Sequence, residues 1–327
     1  MTALSSDRRD SVCRSLLGWY GAHGRQLPWR QTQEPYRIWI SEIMLQQTQV
    51  QTVLPRYDAW FAQFPSIAAL AAASIDDVMK AWEGLGYYRR ARFIHAAAQQ
   101  IMARFDGAFP HDWDDLLALP GIGRSTAGAI ASFAFGAVRP VLDGNVKRVL
   151  RRWHGQMDVR DAQLWAWAEA WIAASNDAAS WNQAMMELGA VICTARRAQC
   201  ECCPVAAQCA SAFAVESAAQ SRRAPVQDRY WQLQLHRCAR RGIWLTQRPA
   251  AGIWGGLWSP PIVELDAAPD SAPIHLHQLT HRRLHLYVQE RDDAPSGEGC
   301  WVRDPAELAT PTGVRRTLEK WREGVAI

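Results

Sequence analysis

A change of hydrophobic period, about two thirds of the way along, most constrains what this chain can fold into. Over residues 12–181 the apolar residues recur at helical spacing, most clearly in 67–79, 95–105, 126–135 and 164–174, with glycine and proline as punctuation. Over residues 210–228 the chain turns rich in Ser, Ala, Gln and Arg, the composition of an exposed connector, with Ala212 and Phe213 closing a last helix. Beyond it come short alternating runs at 231–236, 243–247 and 285–289, bounded by clusters such as Pro249-Ala250-Ala251-Gly252. The pattern predicts a multidomain α and α+β protein, all-α over residues 1–225 and α+β over 226–327. A length of 327 residues is enough for two cores at roughly 150 residues each.

Within the helical region, Leu119-Pro120-Gly121-Ile122-Gly123 is followed twenty residues later by Asp143, in Val141-Leu142-Asp143-Gly144-Asn145. Gly121 and Gly123, flanking one apolar residue, permit a tight turn between helices and leave backbone N–H groups free for a phosphate oxygen. A helix starting near Arg124-Ser125-Thr126 adds its positive end. Glycine serves ordinary turns in the same way, so the company of the motif matters. Arg139, Lys147, Arg148, Arg151 and Arg152 surround Asp143. Most charge runs are solvated helical faces, but a basic fringe beside a glycine hairpin points to nucleic-acid phosphates, and the net charge of +4 permits such a partner.

Eight cysteines are present, five of them within seventeen residues. Cys193, Cys200, Cys203 and Cys209 have the spacing C-x6-C-x2-C-x5-C, with Cys202 in surplus. Four thiolates at this density can surround an iron-sulfur cluster or one zinc ion, and spacing alone leaves both open. Arg196 and Arg197, inside the loop, serve equally as surface charge or as contacts to a nucleic-acid backbone. Apolar residues at 49% and charged residues at 21% indicate a globular chain. Ser5-Ser6-Asp7-Arg8-Arg9-Asp10 is too polar for a signal peptide and no apolar run reaches spanning length, so a soluble cytoplasmic protein is expected, nucleoid-associated if bacterial.

Four further stretches, taken with the hairpin, Asp143 and the cysteines, carry a resemblance: Leu27-Pro28-Trp29-Arg30, the run from Trp39 through Glu42 to Val50, Gly84-Leu85-Gly86-Tyr87-Tyr88, and the run from Asn182 through Glu187 to Gly189. The first two thirds of the chain resembles the helix-hairpin-helix glycosylases of base excision repair, and within them the MutY-type adenine DNA glycosylases. The resemblance implies a 4Fe-4S cluster on Cys193, Cys200, Cys203 and Cys209, with Cys202 a departure from the usual pattern. It implies duplex DNA carrying adenine opposite 8-oxoguanine or guanine as partner, and a monomer is expected.

The residues make chemical sense beside the name. On one helix, Glu42, Gln46 and Gln49 share a face at i, i+4, i+7, setting a carboxyl above amides that can hydrogen-bond bases. A lone helical Glu is usually solvated, but Ile40, Ile43, Met44 and Leu45 surround this one, and burial would favour its acid form. Adenine leaves poorly as an anion, so Glu42 is the expected general acid. Asp143 is expected to stabilise or attack the oxocarbenium-like sugar; its other reading is a helix N-cap. Related enzymes that also cut the strand carry a Schiff-base lysine where Ser125 stands, so base removal without strand cleavage is implied, and Lys147 reads as a phosphate contact.

By resemblance, Tyr87 wedges into the duplex, Gln47 contacts the gap, Tyr88 is core, and Trp29, Arg30 and Glu187 line the pocket for the flipped adenine. The C-terminal third resembles the MutT-like, Nudix-like domain of MutY through Ala251-Gly252-Ile253-Trp254-Gly255-Gly256-Leu257-Trp258. Leu279-Thr280-His281 stands where the family reads 8-oxoguanine with Phe-Ser-His, which gives Thr280 and His281 that role. His277, His281 and His285, four apart, could equally decorate one surface. The acidic Nudix signature is absent, so binding rather than hydrolysis is expected there. A pyrimidine-lesion lyase is disfavoured by Ser125, and a catalytically silent DNA-binding or redox-sensing scaffold by Glu42 and Asp143.

Overall fold

The computed structural model describes residues 6–214 and 226–325, so the expected boundary at 225 and most of the connector lie outside the described residues. In chain order the helices are α1 (Ser6–His23), α2 (Pro35–Leu45), α3 (Val50–Gln63), α4 (Ile67–Ala72), α5 (Ile75–Ala81), α6 (Arg89–Phe105), α7 (Trp113–Ala118), α8 (Arg124–Phe135), α9 (Gly144–His154), α10 (Asp161–Ala173) and α11 (Ala178–Glu187). The periodic run at 67–79 is two helices, because Ser74 leaves the helix and its hydroxyl accepts from Asp77 N at 3.1 Å, capping α5. The runs at 95–105, 126–135 and 164–174 fall in α6, α8 and α10. No last helix closes at Ala212 and Phe213: that segment is a series of turns, and Phe213 is exposed with φ +61°. Among the described residues no helix is long and apolar enough to cross a membrane.

Two compact units emerge, and neither is continuous in sequence: Met1–Gln47 with Gln100–Ser221, and Thr48–Gln99 with Arg222–Ile327. In the first, α1 lies against α11, and α9, α10 and α11 pack on one another. Its core gathers Val12 and Leu16 from α1, Val146, Leu150 and Trp153 from α9, Trp167 and Trp171 from α10, and Trp181 and Met185 from α11. Aromatic rings dominate it: Trp153 and Trp171 stack at 4.6 Å between centroids, and His154 lies flat on Trp167 at 3.9 Å.

The second unit holds the sheet, with β1 (Gln227–Cys238), β2 (Gly242–Gln247), β3 (Trp258–Ser259), β4 (Ile262–Leu265), β5 (His275–Gln278), β6 (Arg282–Arg291) and β7 (Cys300–Val302), and α12 (Thr312–Val325). The expected runs at 231–236, 243–247 and 285–289 fall in β1, β2 and β6. The strand order is β3-β2-β1-β6-β5, with β4 on β1 and β7 on β2. β1 and β6 run parallel, Gln227 opposite Arg282 through His236 opposite Arg291, while the other pairings are antiparallel. Alternation along β1 turns Trp231, Leu233 and Leu235 inward, and α12 covers β5 and β6 through Val314, Thr317 and Leu318. The helical segment of this unit is tied to the sheet domain: Arg92 Nη2 donates to Ala250 O at 2.8 Å, and Trp258 Nε1 to the Asp76 carboxylate at 3.2 Å. The three histidines share no surface. His277 faces Leu284 across the β5–β6 pair and lies against Trp254, whereas His285, on the other face, bonds Asp228 at 2.7 Å.

Candidate active site

α2 starts at Pro35, pre-set for a first helical turn, and Glu34 caps it by accepting from Tyr36 N at 3.0 Å and Arg37 N at 2.8 Å. The helix buries Tyr36, Ile38, Trp39, Ile40, Ile43 and Met44 and packs against α8. Glu42 sits among these residues. It keeps a little accessible surface, as a cleft-lining residue does, but the protein mass around its carboxyl removes most of the solvent. Burial first, then the charge of Asp143, push its pKa up to about 7, against the pull of Arg30.

The hairpin is built as its glycines suggest. Gly121 has φ +79°, Ile122 is inserted into the core, and Gly123 is the N-cap of α8. Gly128 lets α8 approach the segment that leads to Asp143, since a Cβ there would lie 2.3 Å from Pro140 O. That segment is pinned three times in succession. Val141 N donates to Asn182 Oδ1 at 3.0 Å, Leu142 N donates to Ser125 Oγ at 3.1 Å, and the Asp143 carboxylate accepts from Val146 N at 2.7 Å. Asp143 is therefore an N-cap, of α9, as well as a carboxylate within electrostatic reach of Glu42. Burial raises its pKa, while the Val146 and Asn145 N–H groups and Arg148 hold the charge back toward ionisation. Asn182 is almost fully buried, and its amide also donates to Ser132 Oγ at 3.0 Å and Arg139 O at 2.9 Å. In the sequence this residue stands in the motif from Asn182 to Gly189 with no task of its own, since a polar side chain amid helical apolar spacing is its only signal.

Trp29 is buried in the 3-10 turn Pro28–Arg30. Glu187, at the end of α11, is fully buried and both its oxygens are taken: by Arg25 at 2.7 and 2.8 Å and by Arg30 at 2.8 Å. Burial alone would raise its pKa, but the two guanidinium groups outweigh it and hold the carboxyl below the usual range. Arg25 was missed by sequence reasoning; its place five residues before Arg30 carries no periodic signal.

The residues expected to meet DNA are spread over both units. Glu42, Gln46 and Gln49 do not share a helix face. α2 ends at Leu45, Gln46 departs at ψ 109°, Gln47 is left-handed at φ +57°, and Gln49 caps α3. Gln46 Nε2 reaches Thr126 Oγ1 at 3.4 Å, while Gln47 and Gln49 are exposed. In the second unit, Tyr87 is 47% exposed with φ +48°, and its hydroxyl lies 3.0 Å from that of Thr280; His281 is exposed in the turn before β6. Tyr88 is partly buried. The basic fringe is not all free for phosphates: Lys147 pairs with Asp161, and Arg148 and Arg152 turn toward the cysteine loop.

That loop folds back on α9. Arg148 donates to Cys193 O at 2.8 Å and Gly189 O at 2.6 Å, and Arg152, nearly buried, donates to Thr194 O at 2.7 Å and Cys193 Sγ at 3.3 Å. Burial pushes the Cys203 thiol up to about 11, and Cys193, Cys209 and Cys200 add to the rise. Cys209 is raised in the same way, by burial, then by Cys193 and Cys200. The four thiols thus lie within one another's fields, and Cys202, exposed, contributes to neither shift. Among the described residues no three His, Cys, Asp or Glu side chains are drawn together tightly enough to hold a single metal ion.

Residues 40–166 match the superfamily of helix-hairpin-helix base excision DNA repair proteins, and residues 233–320 match the Nudix domain. The chain is 38% identical over 257 residues to the adenine DNA glycosylase of Buchnera aphidicola subsp. Baizongia pistaciae, covering 76% of this chain and 72% of that one. It is 35% identical to the adenine DNA glycosylase of Arabidopsis thaliana, over 88% of this chain and 52% of the relative. With the human adenine DNA glycosylase the identity is 42%, over 62% and 39%. Among solved structures, a thermostable thymine-DNA glycosylase superposes with a TM-score of 0.60 at 26% identity, covering 64% of this chain and 99% of that one. A non-covalent endonuclease III–DNA complex shares the fold, with a TM-score of 0.56 at 21% identity over 64% and 97%.

Proposed function

The chain belongs to the adenine DNA glycosylases of base excision repair, and on that premise we propose that it removes adenine mispaired with 8-oxoguanine or guanine by acid-assisted hydrolysis of the N-glycosidic bond. The observation that carries the reading is the pairing of two carboxyl groups with opposed demands. Glu42 is poised to keep a proton near pH 7, and the charge on Asp143 helps it to do so. A proton from Glu42 on a ring nitrogen lets adenine leave neutral. Asp143, held in place through Val141, Leu142 and Val146, faces the positive charge that develops on the sugar. Ser125 has no amine for a Schiff base, and its hydroxyl is engaged with Leu142 N, which supports base removal without coupled strand cleavage.

On this reading residues 1–225 form the glycosylase region and 226–327 a MutT-like domain that reads the lesion base through Thr280 and His281. Tyr87 fills the gap left by the flipped adenine, with Gln46, Gln47, Gln49, Gly121, Gly123, Ser125 and Lys147 on the duplex and Trp29, Arg30 and Glu187 about the pocket. The protein acts as a monomer. Cys193, Cys200, Cys203 and Cys209 would hold a 4Fe-4S cluster, whose contribution is to brace the loop that α9 grips. The mutual influence of these four thiols, with Cys202 outside the set, supports that choice of ligands.

The test is single-turnover adenine release from duplexes with A opposite 8-oxoguanine, G or T, read as alkali-labile strand breaks. Wild type should act on the first two, and Glu42→Gln should lower the rate by roughly 10² to 10⁴-fold. A variant as fast as wild type would remove Glu42 from the mechanism.

A further inference from the structure

Tyr87 is an exposed aromatic residue in a backbone conformation that its type seldom adopts, and a buried arginine holds it there. The turn between α5 and α6 runs through three left-handed residues, Gly84 at φ +85°, Gly86 at φ +68° and Tyr87 at φ +48°. Glycine takes such angles freely, whereas an aromatic residue persists in them only where its surroundings over-determine the backbone. Leu85 is buried before it and Tyr88 partly buried after it, so the chain is anchored on both sides of a ring left in solvent.

The restraint is Arg90, in the first turn of α6 and itself buried. Its Nη2 donates to Leu85 O at 2.8 Å, to Gly86 O at 3.0 Å and to Thr48 Oγ1 at 3.1 Å. Two further donors converge on the same carbonyls, Trp82 Nε1 on Gly86 O at 3.1 Å and Thr48 Oγ1 on Leu85 O at 3.4 Å. The Arg90 backbone N–H closes the turn on Tyr87 O at 2.9 Å. Its guanidinium carbon lies 5.6 Å from the centroid of the Tyr87 ring and 5.2 Å from that of Trp82, within reach of cation–π attraction. Thr48 follows Gln47, another left-handed residue at φ +57°, so the same side chain fastens the residue that leaves that turn. At the far end of Tyr87 the hydroxyl meets that of Thr280, an exposed contact for which water competes, so the firm hold on the residue is at its backbone. We propose that Arg90 is a positioning residue for the aromatic wedge: its buried guanidinium fixes the left-handed course from Gly84 to Tyr87 before DNA arrives, so the Tyr87 ring meets a vacated base position already aimed. The proposal rests on the function assigned above and deepens it. A ring pre-set in its bound position needs no ordering on binding, an advantage that exists only where there is a gap to fill.

The experiment measures the affinity of the full chain for two duplexes, one with a stable tetrahydrofuran abasic residue opposite guanine and one intact, with cytosine there. Wild type should favour the gapped duplex. Tyr87→Ala should lower that preference by roughly tenfold or more, as loss of one aromatic stack does. Arg90→Met, which keeps an apolar stem but has no donor, should lower it severalfold and leave affinity for the intact duplex near wild type. In Arg90→Met/Tyr87→Ala the loss should be no greater than in Tyr87→Ala, because a residue that acts through another has no effect once the other is gone. An undiminished preference in Arg90→Met, or losses that add in the double variant, would overturn the proposal. Gly86→Ala puts the same question without touching Arg90, since a Cβ there meets nothing within 4 Å among the described residues and only the φ of +68° resists it. It too should lower the preference severalfold, and it decides if Arg90→Met does not fold; a preference as strong as that of wild type would overturn the proposal. Adenine release by wild type is read in parallel on a duplex with A opposite G. Release without preference for the gap, or a preference that Tyr87→Ala leaves intact, would remove Tyr87 as the wedge and the proposal with it. A Tyr87-dependent preference without release would leave the proposal standing and overturn the assigned reaction instead.

Discussion

The proposed chemistry gives Glu42 and Asp143, which lie within electrostatic reach of one another, opposite protonation needs, and each carries a consequence that can be separated from catalysis. The folded protein holds the Glu42 proton to about pH 7, whereas an unperturbed carboxyl releases it near 4.5. Across that window the native state binds more protons than the unfolded chain, so the contribution of Glu42 to stability declines as pH rises and is at its most unfavourable above about 7. Glu42→Gln, which carries no charge, should therefore unfold at higher urea than wild type at pH 8, by about 3 kcal/mol at most, and show no such gain at pH 4. Asp143→Asn separates cap from charge. Asn caps a helix about as well as Asp, so thermal stability should stay close to wild type while adenine release collapses; Asp143→Ala should lose both, with about 1 kcal/mol of stability. Equal stability losses in the two variants would mean that the carboxylate charge itself holds α9 in place. At this scale the sequence pointed to Glu42 and Asp143, which the fold brings within electrostatic reach of one another, because the proposed chemistry demands a residue type at each. It was unreadable at Arg25 and Asn182, whose partners lie far away in sequence and whose neighbours follow ordinary helical patterns.

α9 begins at the Asp143 carboxylate and ends in the grip on the cysteine loop. Asp143 is its N-cap, while Arg148 and Arg152, one turn apart on the same rod, hold Cys193, Thr194 and Gly189. Arg152→Met keeps length and apolar stem but removes the donors to Thr194 O and Cys193 Sγ. With the proposed cluster on the four cysteines, it should reduce the brown absorption per protein after purification in air while leaving far-ultraviolet circular dichroism unchanged; full retention of absorption would show that the thiolates need no help from α9. Element existence followed from periodicity, and hence α8, α10, β1, β2 and β6 were legible. Element ends were not. No glycine or proline marks the break after Leu45, because the left-handed turn falls on Gln47, a residue type with no preference for it. The basic fringe misleads for a related reason: helical spacing tells which charges share a rod, not which of them a loop forty residues later will claim.

In the whole molecule the chain leaves its first unit after Gln47 and returns at Gln100, so that unit is closed by pieces distant in sequence. Local pattern could announce two cores but not this division, since nothing in the periodicity of 48–99 says that it packs with 222–327. α1 lies against α11, with Val12 and Leu16 buried and the Cys13 thiol 3.6 Å from Ala174 O. Deleting residues 1–23 strips apolar cover from Trp181 and Met185, and each fully buried side chain lost is worth roughly 2 kcal/mol. The truncated chain should fail to give a cooperative thermal transition for the first unit, and a wild-type-like transition would show α1 to be an accessory. The same pairing shapes how the protein is made. α1 leaves the ribosome about one hundred and sixty residues ahead of its partner, so its apolar stripe has no native surface to meet until α11 follows. A nascent chain of this kind is most in need of a chaperone before α11 emerges, and substitutions that make α1 stickier should lower yield in the cell even where they leave the finished enzyme unharmed.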